Sequence, residues 1–263
     1  MLGFGGNDIY VVANAGTEIV ETAGNGDNDR VATSVDFALA ADDDIELLTT
    51  TATGGTTPLN LTGNALAQTI IGNAGDNTLH TGGGANADVL RGLGGNDTYR
   101  VFNAGDTIIE AIGGGNDKVQ AAVNYVLTAG AEIETLQTNG STGTANLDLT
   151  GNELDQRIFG NAGANRLDSL FGNDTLTGLL GDDTFVFSTA PGAGNVDLIT
   201  DFNPADDTIA LSLSVFSAIT QAPGTLLSGF FKANAAGVAT DANDRVVYNT
   251  ATGGLFFDAD GFG

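Results

Sequence analysis

Apolar residues recur along this chain at nine-residue intervals. Four consecutive segments run without a gap: GNELDQRIF (151–159), GNAGANRLD (160–168), SLFGNDTLT (169–177) and GLLGDDTFV (178–186). An earlier series matches them: GNALAQTII (63–71), GNAGDNTLH (72–80), TGGGANADVLR (81–91, two residues longer) and GLGGNDTYR (92–100). The eighth position is a β-forming apolar residue throughout: Ile70, Leu79, Leu90, Tyr99, Ile158, Leu167, Leu176 and Phe185. This spacing predicts a six-residue turn followed by a three-residue strand whose apolar side chain points inward. Strands that short are not stable alone, so successive coils must stack to bury the apolar column.

A second, longer period encloses the first. GGNDIYVVANAGTEIVE near the start returns as GGNDTYRVFNAGDTIIE near residue 100, and LTGNALAQTIIGNAGDNTL (61–79) returns as LTGNELDQRIFGNAGANRL (149–167). The offset drifts from 89 to 86, giving a unit of about 88 residues. A third copy opens at Gly178 and diverges.

Charge changes the picture. The chain holds 33 Asp and Glu against 8 Lys and Arg, a net charge of -25. Such a field repels nucleic acid and anionic membranes. Disorder requires few apolar residues, whereas 41% here are hydrophobic. The carboxylates therefore point to a folded chain that holds cations. There is no cysteine, hence no disulfide and no thiolate site. No cleavable signal peptide is visible at the N-terminus, and no apolar run reaches the roughly 18 residues of a membrane helix.

The segments GFGGNDIYV (3–11), GLGGNDTYR, SLFGNDTLT and GLLGDDTFV resemble the RTX (haemolysin-type) nonapeptide G-G-x-G-x-D-x-U-x, a calcium-binding β-helix repeat. The resemblance implies an all-β fold: a right-handed parallel β-roll or β-solenoid with calcium bound between stacked turns, plus a small C-terminal β cap. Two nonapeptides make one coil, so turns two motifs apart lie on the same side. Parallel neighbours are about 4.8 Å apart, a gap that an ion with oxygens at roughly 2.3–2.6 Å can bridge. By the family's motif, Asp8, Asp97, Asp174 and Asp183 are calcium ligands at position six, and Asp29, Asp88 and Asp117 occupy it in altered motifs. The run around Asp29, Gly24-Asn25-Gly26-Asp27-Asn28-Asp29, carries one extra residue. The expected pairs are Asp8 with Asp29, Asp97 with Asp117, Asp88 with Asp106, Asp174 with Asp197, and Asp183 with the turn near Asp201. Position six is an amide at Gln68, Asn77, Gln156 and Asn165, which predicts metal-free coils whose amides hydrogen-bond up the stack. Replacement of the second glycine by Phe4, Leu93 and Leu179 predicts looser turns.

The organisation read from these patterns is a first solenoid unit (1–91), a second (92–177), closing RTX turns (178–211) and a C-terminal cap (212–263). Residues 40–60 and 128–148 are Thr-rich connections at equivalent places, fitting wider, calcium-free coils. Asp42-Asp43-Asp44 reads as a solvated loop, since its second copy is Gly130-Ala131-Glu132. The C-terminal region resembles the family's cap but stops at an Asp-Ala-Asp-Gly-x-Gly turn. Both ends read as cut from a longer protein, and the uncovered strand edges suggest an end-to-end homodimer.

Catalytic chemistry is sparse. His80 is the only histidine, so paired-His zinc motifs are excluded, and no G-x-S-x-G elbow occurs. His80, at position nine of its motif, is the one candidate general base, beside a calcium ion that polarises an ester, lactone or glycosidic bond. Three functions fit these residues. The first is a calcium-dependent folding and type I secretion module of a larger extracellular protein. A calcium-dependent hydrolase and a carbohydrate-binding or adhesion module are the alternatives.

Overall fold

A computed structural model of the chain describes residues 1–21, 24 and 26–260. It is a parallel β-solenoid, and among the described residues there is no α-helix. From Arg30–Thr33 to Thr208–Leu211, strands alternate between two walls. One wall is a single nine-stranded sheet, from Phe37–Ala38 through Asn60–Thr62, Thr78–His80, Thr98–Val101, Lys118–Ala121, Thr135–Thr138, Arg157–Phe159 and Thr175–Thr177 to Leu198–Ile199. The opposite wall is carried by two sheets. Six strands run from Ile9–Val12 to Thr107–Ile108, and five from Tyr125–Val126 to Thr208–Leu211.

Register explains why the apolar spacing is strict. Leu61, Leu79, Tyr99, Val119, Leu136, Ile158 and Leu176 are direct partners in successive strands, and all are fully buried. Leu48, Ile70, Leu90 and Ile108 form the facing column, continued after the break by Tyr125, Leu149, Leu167 and Phe185. All eight eighth-position residues singled out from the sequence lie inward. Each contributes roughly 1.5–3 kcal/mol by burial, but only because the coils above and below complete its surroundings.

Equivalent residues of the long repeat fall on opposite walls. Tyr10 lies in the six-stranded sheet and its counterpart Tyr99 in the nine-stranded one, and the same holds for Ile70 and Ile158. The repeat therefore contains an odd number of wall crossings, so its second copy is turned by half a coil. The Thr-rich connections carry the strands Leu47–Thr50 and Thr135–Thr138, which continue the walls.

At the C-terminal end the pattern changes. Phe231–Asn234 pairs in parallel with Val246–Asn249, which pairs antiparallel with Leu255–Phe257. Behind this small sheet Phe216, Ile219 and Val246 form a separate cluster, to which Phe187 and Leu211 of the solenoid are packed. Phe216 meets Phe257 edge-on, with centroids 4.9 Å apart. Gly261, Phe262 and Gly263 of the terminal turn lie outside the described residues, as does Asn25.

Candidate metal-binding turns

Each six-residue turn delivers its sixth residue to the rim of the solenoid, directly under the sixth residue of the turn one coil away. The Asp8 N–H donates to Asp29 Oδ1 at 2.7 Å, and the Asp97 N–H to Asp117 Oδ1 at 2.7 Å. Asp88 donates to Asp106 at 3.0 Å, Asp174 to Asp197 at 3.1 Å and Asp183 to Asp207 at 3.0 Å. The pairs expected from the spacing are thus adjacent. The last is refined: Asp207 meets Asp183, while Asp201 of the same turn accepts the Gly178 and Leu179 amides.

These bonds use one carboxylate oxygen and leave the other. Oδ2 of Asp8, Asp29, Asp97, Asp117 and Asp174 is buried and has no hydrogen-bond partner. A buried anionic oxygen without a donor is costly, and the cost falls on adjacent turns of like charge. Burial pushes the carboxyls of Asp88, Asp97, Asp117 and Asp174 up to about 7, and that of Asp183 to about 6. The amide one coil away opposes this shift, and neighbouring carboxylates reinforce it. Asp197 is raised too, first by burial.

The amide-bearing turns solve the same problem without charge. Asn77 accepts the Asn73 N–H at 2.7 Å and donates back to Asn73 Oδ1, closing its own turn. Gln68 with Asn64 and Gln156 with Asn152 do likewise. The side chains that reach the next coil are instead at position two. Asn64 donates to Ala40 O and Asp43 O, Asn152 to Thr128 O and Ala131 O, and Asn161 to Ala145 O. The expectation that the sixth-position amides climb the stack is corrected for Gln68, Asn77 and Gln156, whose side-chain N–H groups turn back across their own turns, while Asn165 reaches the next coil, donating to Ala145 O at 3.5 Å. Where position two is Leu93, Leu170 or Leu179, no such donor exists, and the position-six carboxylate faces the gap.

Leu93 and Leu179 do not loosen their turns, as the replacement of glycine suggested, and Leu170 behaves as they do. All three hold the left-handed conformation that glycine would, with φ of 86°, 70° and 77°. The strain of roughly 1–2 kcal/mol per residue is borne because the coils on either side fix the backbone. At position one of the Asp97 turn glycine is required for space, whereas Ser169 and Thr81 open the turns of Asp174 and Asp88. A Cβ on Gly92 would fall well inside 3.0 Å of both Asp97 Oδ2 and the Tyr99 hydroxyl. The Asp97 carboxylate folds back under Gly92, which is why this turn starts with glycine.

Several rim acids escaped the nine-residue reading because they sit in the wider coils or beyond the regular motifs. Glu46 accepts the Asp29 N–H at 2.6 Å and Glu134 accepts that of Asp117. Glu21 and Glu110 are buried beside the pairs Asp8–Asp29 and Asp97–Asp117. Their signal was present in the long repeat, whose copies end GTEIVE and GDTIIE. Asp43 is buried rather than solvated and accepts the Ala40 N–H at 2.9 Å, while Asp42 stays exposed.

His80 lies on the outer face of the nine-stranded wall. Its ring stacks on Phe102 at 4.7 Å, and Nδ1 accepts the Gly82 N–H at 2.8 Å. Burial, with Arg100 nearby, lowers its pKa. Among the described residues no hydrogen bond joins it to a carboxylate.

The donors of the acidic turns are all hard oxygens in a gap one strand spacing wide, the chemistry suited to calcium. The residues fit that ion: five unpartnered carboxylate oxygens face these gaps, and Asp8, Asp29, Asp97, Asp117, Asp174 and Asp197 would hold it, with Asp88 and Asp183 at the equivalent place in two further turns. A calcium ion there supplies charge compensation between coils. Fold and turns together define a solenoid of calcium-binding repeats. The family model of the RTX calcium-binding nonapeptide repeat matches in four copies, over residues 62–99 and 150–185, so the chain carries RTX repeats of that calcium-binding family. Asp88, Asp97, Asp174 and Asp183 fall within the matched segments, and Asp8, Asp29, Asp117 and Asp197 outside them. No match to the chain was found among curated proteins, and none among solved structures.

Proposed function

We propose that this chain is a calcium-dependent folding module of a larger secreted protein, exported through type I secretion and ordered by calcium outside the cell. One observation carries the reading: the unpartnered, buried Oδ2 atoms of Asp8, Asp29, Asp97, Asp117 and Asp174. Without a cation, carboxylates about 5 Å apart repel by roughly 1–3 kcal/mol per pair at effective dielectrics of 80 to 20. Several such pairs rival the roughly 5–15 kcal/mol net stability of a domain. Low calcium would leave the acidic coils loose enough for export, and higher calcium outside would close them. No helix among the described residues is long and apolar enough to cross a membrane.

Thermal melts followed by far-UV circular dichroism, with calcium and with EDTA, test the coupling. Calcium should raise the melting temperature by well over 10 °C. An unchanged melting temperature after verified ion removal refutes it. The solenoid also offers a surface for self-association: Ile9–Val12 ends its sheet, with Ile9 and Val11 exposed. End-to-end pairing there would appear as a concentration-dependent dimer in sedimentation, and a monomer throughout the micromolar range would count against it.

A further inference from the structure

The acidic turns are not alike. Asp97, Glu110 and Asp117 each bring a carboxylate oxygen within 4.8 Å of the others, and so do Asp8, Glu21 and Asp29. Asp97, Glu110 and Asp117 are all buried, as are Glu21 and Asp29. The nonapeptide does not supply the third carboxylate. Glu110 follows the short strand Thr107–Ile108, where Ile108 is buried, Ile109 exposed and Glu110 buried again. This alternation turns the Glu110 side chain inward, toward the preceding half-coil.

Tyrosine holds it there. Tyr99 and Tyr10 occupy the inward position that is aliphatic in most other motifs. The Tyr99 hydroxyl accepts the Gly92 N–H at 2.8 Å and donates to Glu110 Oε2, and Glu110 Oε1 accepts the Ala111 N–H. The Tyr10 hydroxyl donates to Glu21 in the same way. A Cβ on Gly3 would collide with Glu21 and the Tyr10 hydroxyl, as one on Gly92 would with Asp97 and the Tyr99 hydroxyl. The arrangement is thus built twice, on opposite walls. Two of the other pairs have a neutral third partner. Asp197 Oδ2 accepts the Ser169 hydroxyl at 3.3 Å, and Asp106 Oδ2 accepts the Phe102 and Asn103 amides. In the triads Oδ2 of all four aspartates is buried without a partner, which among the other pairs holds for Asp174 alone.

We propose that Asp97–Glu110–Asp117 and Asp8–Glu21–Asp29 are two three-carboxylate cation sites, closed by tyrosine-held glutamates, which take hard multivalent cations before any other turn. This rests on the calcium reading above. The donor set is all oxygen, and affinity in such sites rises with the number of charged ligands. A trivalent lanthanide would match the three charges fully.

The probe is terbium, whose emission nearby tyrosine sensitises; the chain has four tyrosines and no tryptophan. Full-length protein is titrated with terbium and, separately, with calcium by calorimetry. Two tight equivalents are expected, with strong tyrosine-sensitised emission. The Glu21→Gln/Glu110→Gln variant should bind those two about tenfold or more weakly, while the weaker calcium equivalents persist. Tyr10→Phe/Tyr99→Phe keeps every carboxylate but releases the two glutamates, so both equivalents should weaken by calorimetry and most of their emission should disappear. This variant decides the matter if the glutamine variant fails to fold. Two tight equivalents unaffected by the glutamine changes, or emission surviving both tyrosine changes, overturn the inference and leave the calcium reading intact. A wild-type chain that takes up neither ion overturns both.

Discussion

The Asp97 amide donates to one carboxylate oxygen of Asp117 at 2.7 Å, while the other oxygen of each residue is buried without a donor. One hydrogen bond fixes the two turns in register, and its remainder is a pair of like charges. The turn is therefore complete only when a cation is added, and its side chains act with opposite sign in the two conditions.

Asp97→Asn should show that reversal. With calcium it removes a charged ligand, so calorimetric titration should lose one ion and the melting temperature should fall. With EDTA the same change relieves repulsion of roughly 1–3 kcal/mol, so the variant should melt above wild type. Asn77→Ala, in an amide-closed turn, should lower stability in both conditions and leave the calcium count unchanged. Loss of an ion from the Asn77 variant would mean that the metal lies in the other set of turns.

Gly92→Ala sets space against the carboxylate. The new methyl would collide with Asp97 and the Tyr99 hydroxyl, whereas a methyl on Gly94 meets nothing closer than 3.7 Å. Gly92→Ala should cost about 1–3 kcal/mol as an overpacked site and weaken calcium binding. Gly94→Ala should do neither. Melts and calcium titrations of the two variants side by side measure the difference.

Much of this was legible in the sequence, for one physical reason. A short strand that must bury its single inward residue fixes both spacing and residue type, so Ile70, Leu79, Tyr99 and Phe185 declare themselves. The Asp at position six is equally exposed by its register. Glu21 and Glu110 were not, because they lie after a strand rather than in a turn, and an inward glutamate looks like any other acid until the tyrosine hydroxyl opposite is placed. The role of Asn64 and Asn152 was hidden too. Only the stacked backbone shows that in these two turns position two, rather than position six, reaches the next coil.

The pH dependence should change direction with calcium. Without the ion, Asp88, Asp97, Asp117 and Asp174 have folded pKa values near 7 against an ordinary 3.8. A raised folded pKa gives stability that is complete below about 4 and lost as pH rises through about 7. The EDTA-treated protein should therefore melt higher at pH 5 than at pH 8. With calcium, protons and metal compete for the same oxygens, so apparent affinity should weaken from pH 8 to pH 6. Melts in EDTA at the two pH values, and calcium titrations at pH 8 and pH 6, check both directions; an EDTA-treated protein more stable at pH 8 would show that the buried carboxyls do not control the fold.

The most direct measurement is a crystal structure grown with calcium and read by anomalous scattering. Peaks are expected between the turns of Asp8 and Asp29, of Asp97 and Asp117, and of Asp174 and Asp197, with none beside Asn77 or Asn165. Crystals in which those three gaps hold no anomalous peak at saturating calcium, or in which peaks sit at the amide turns instead, would contradict the placement of calcium between the acidic coils.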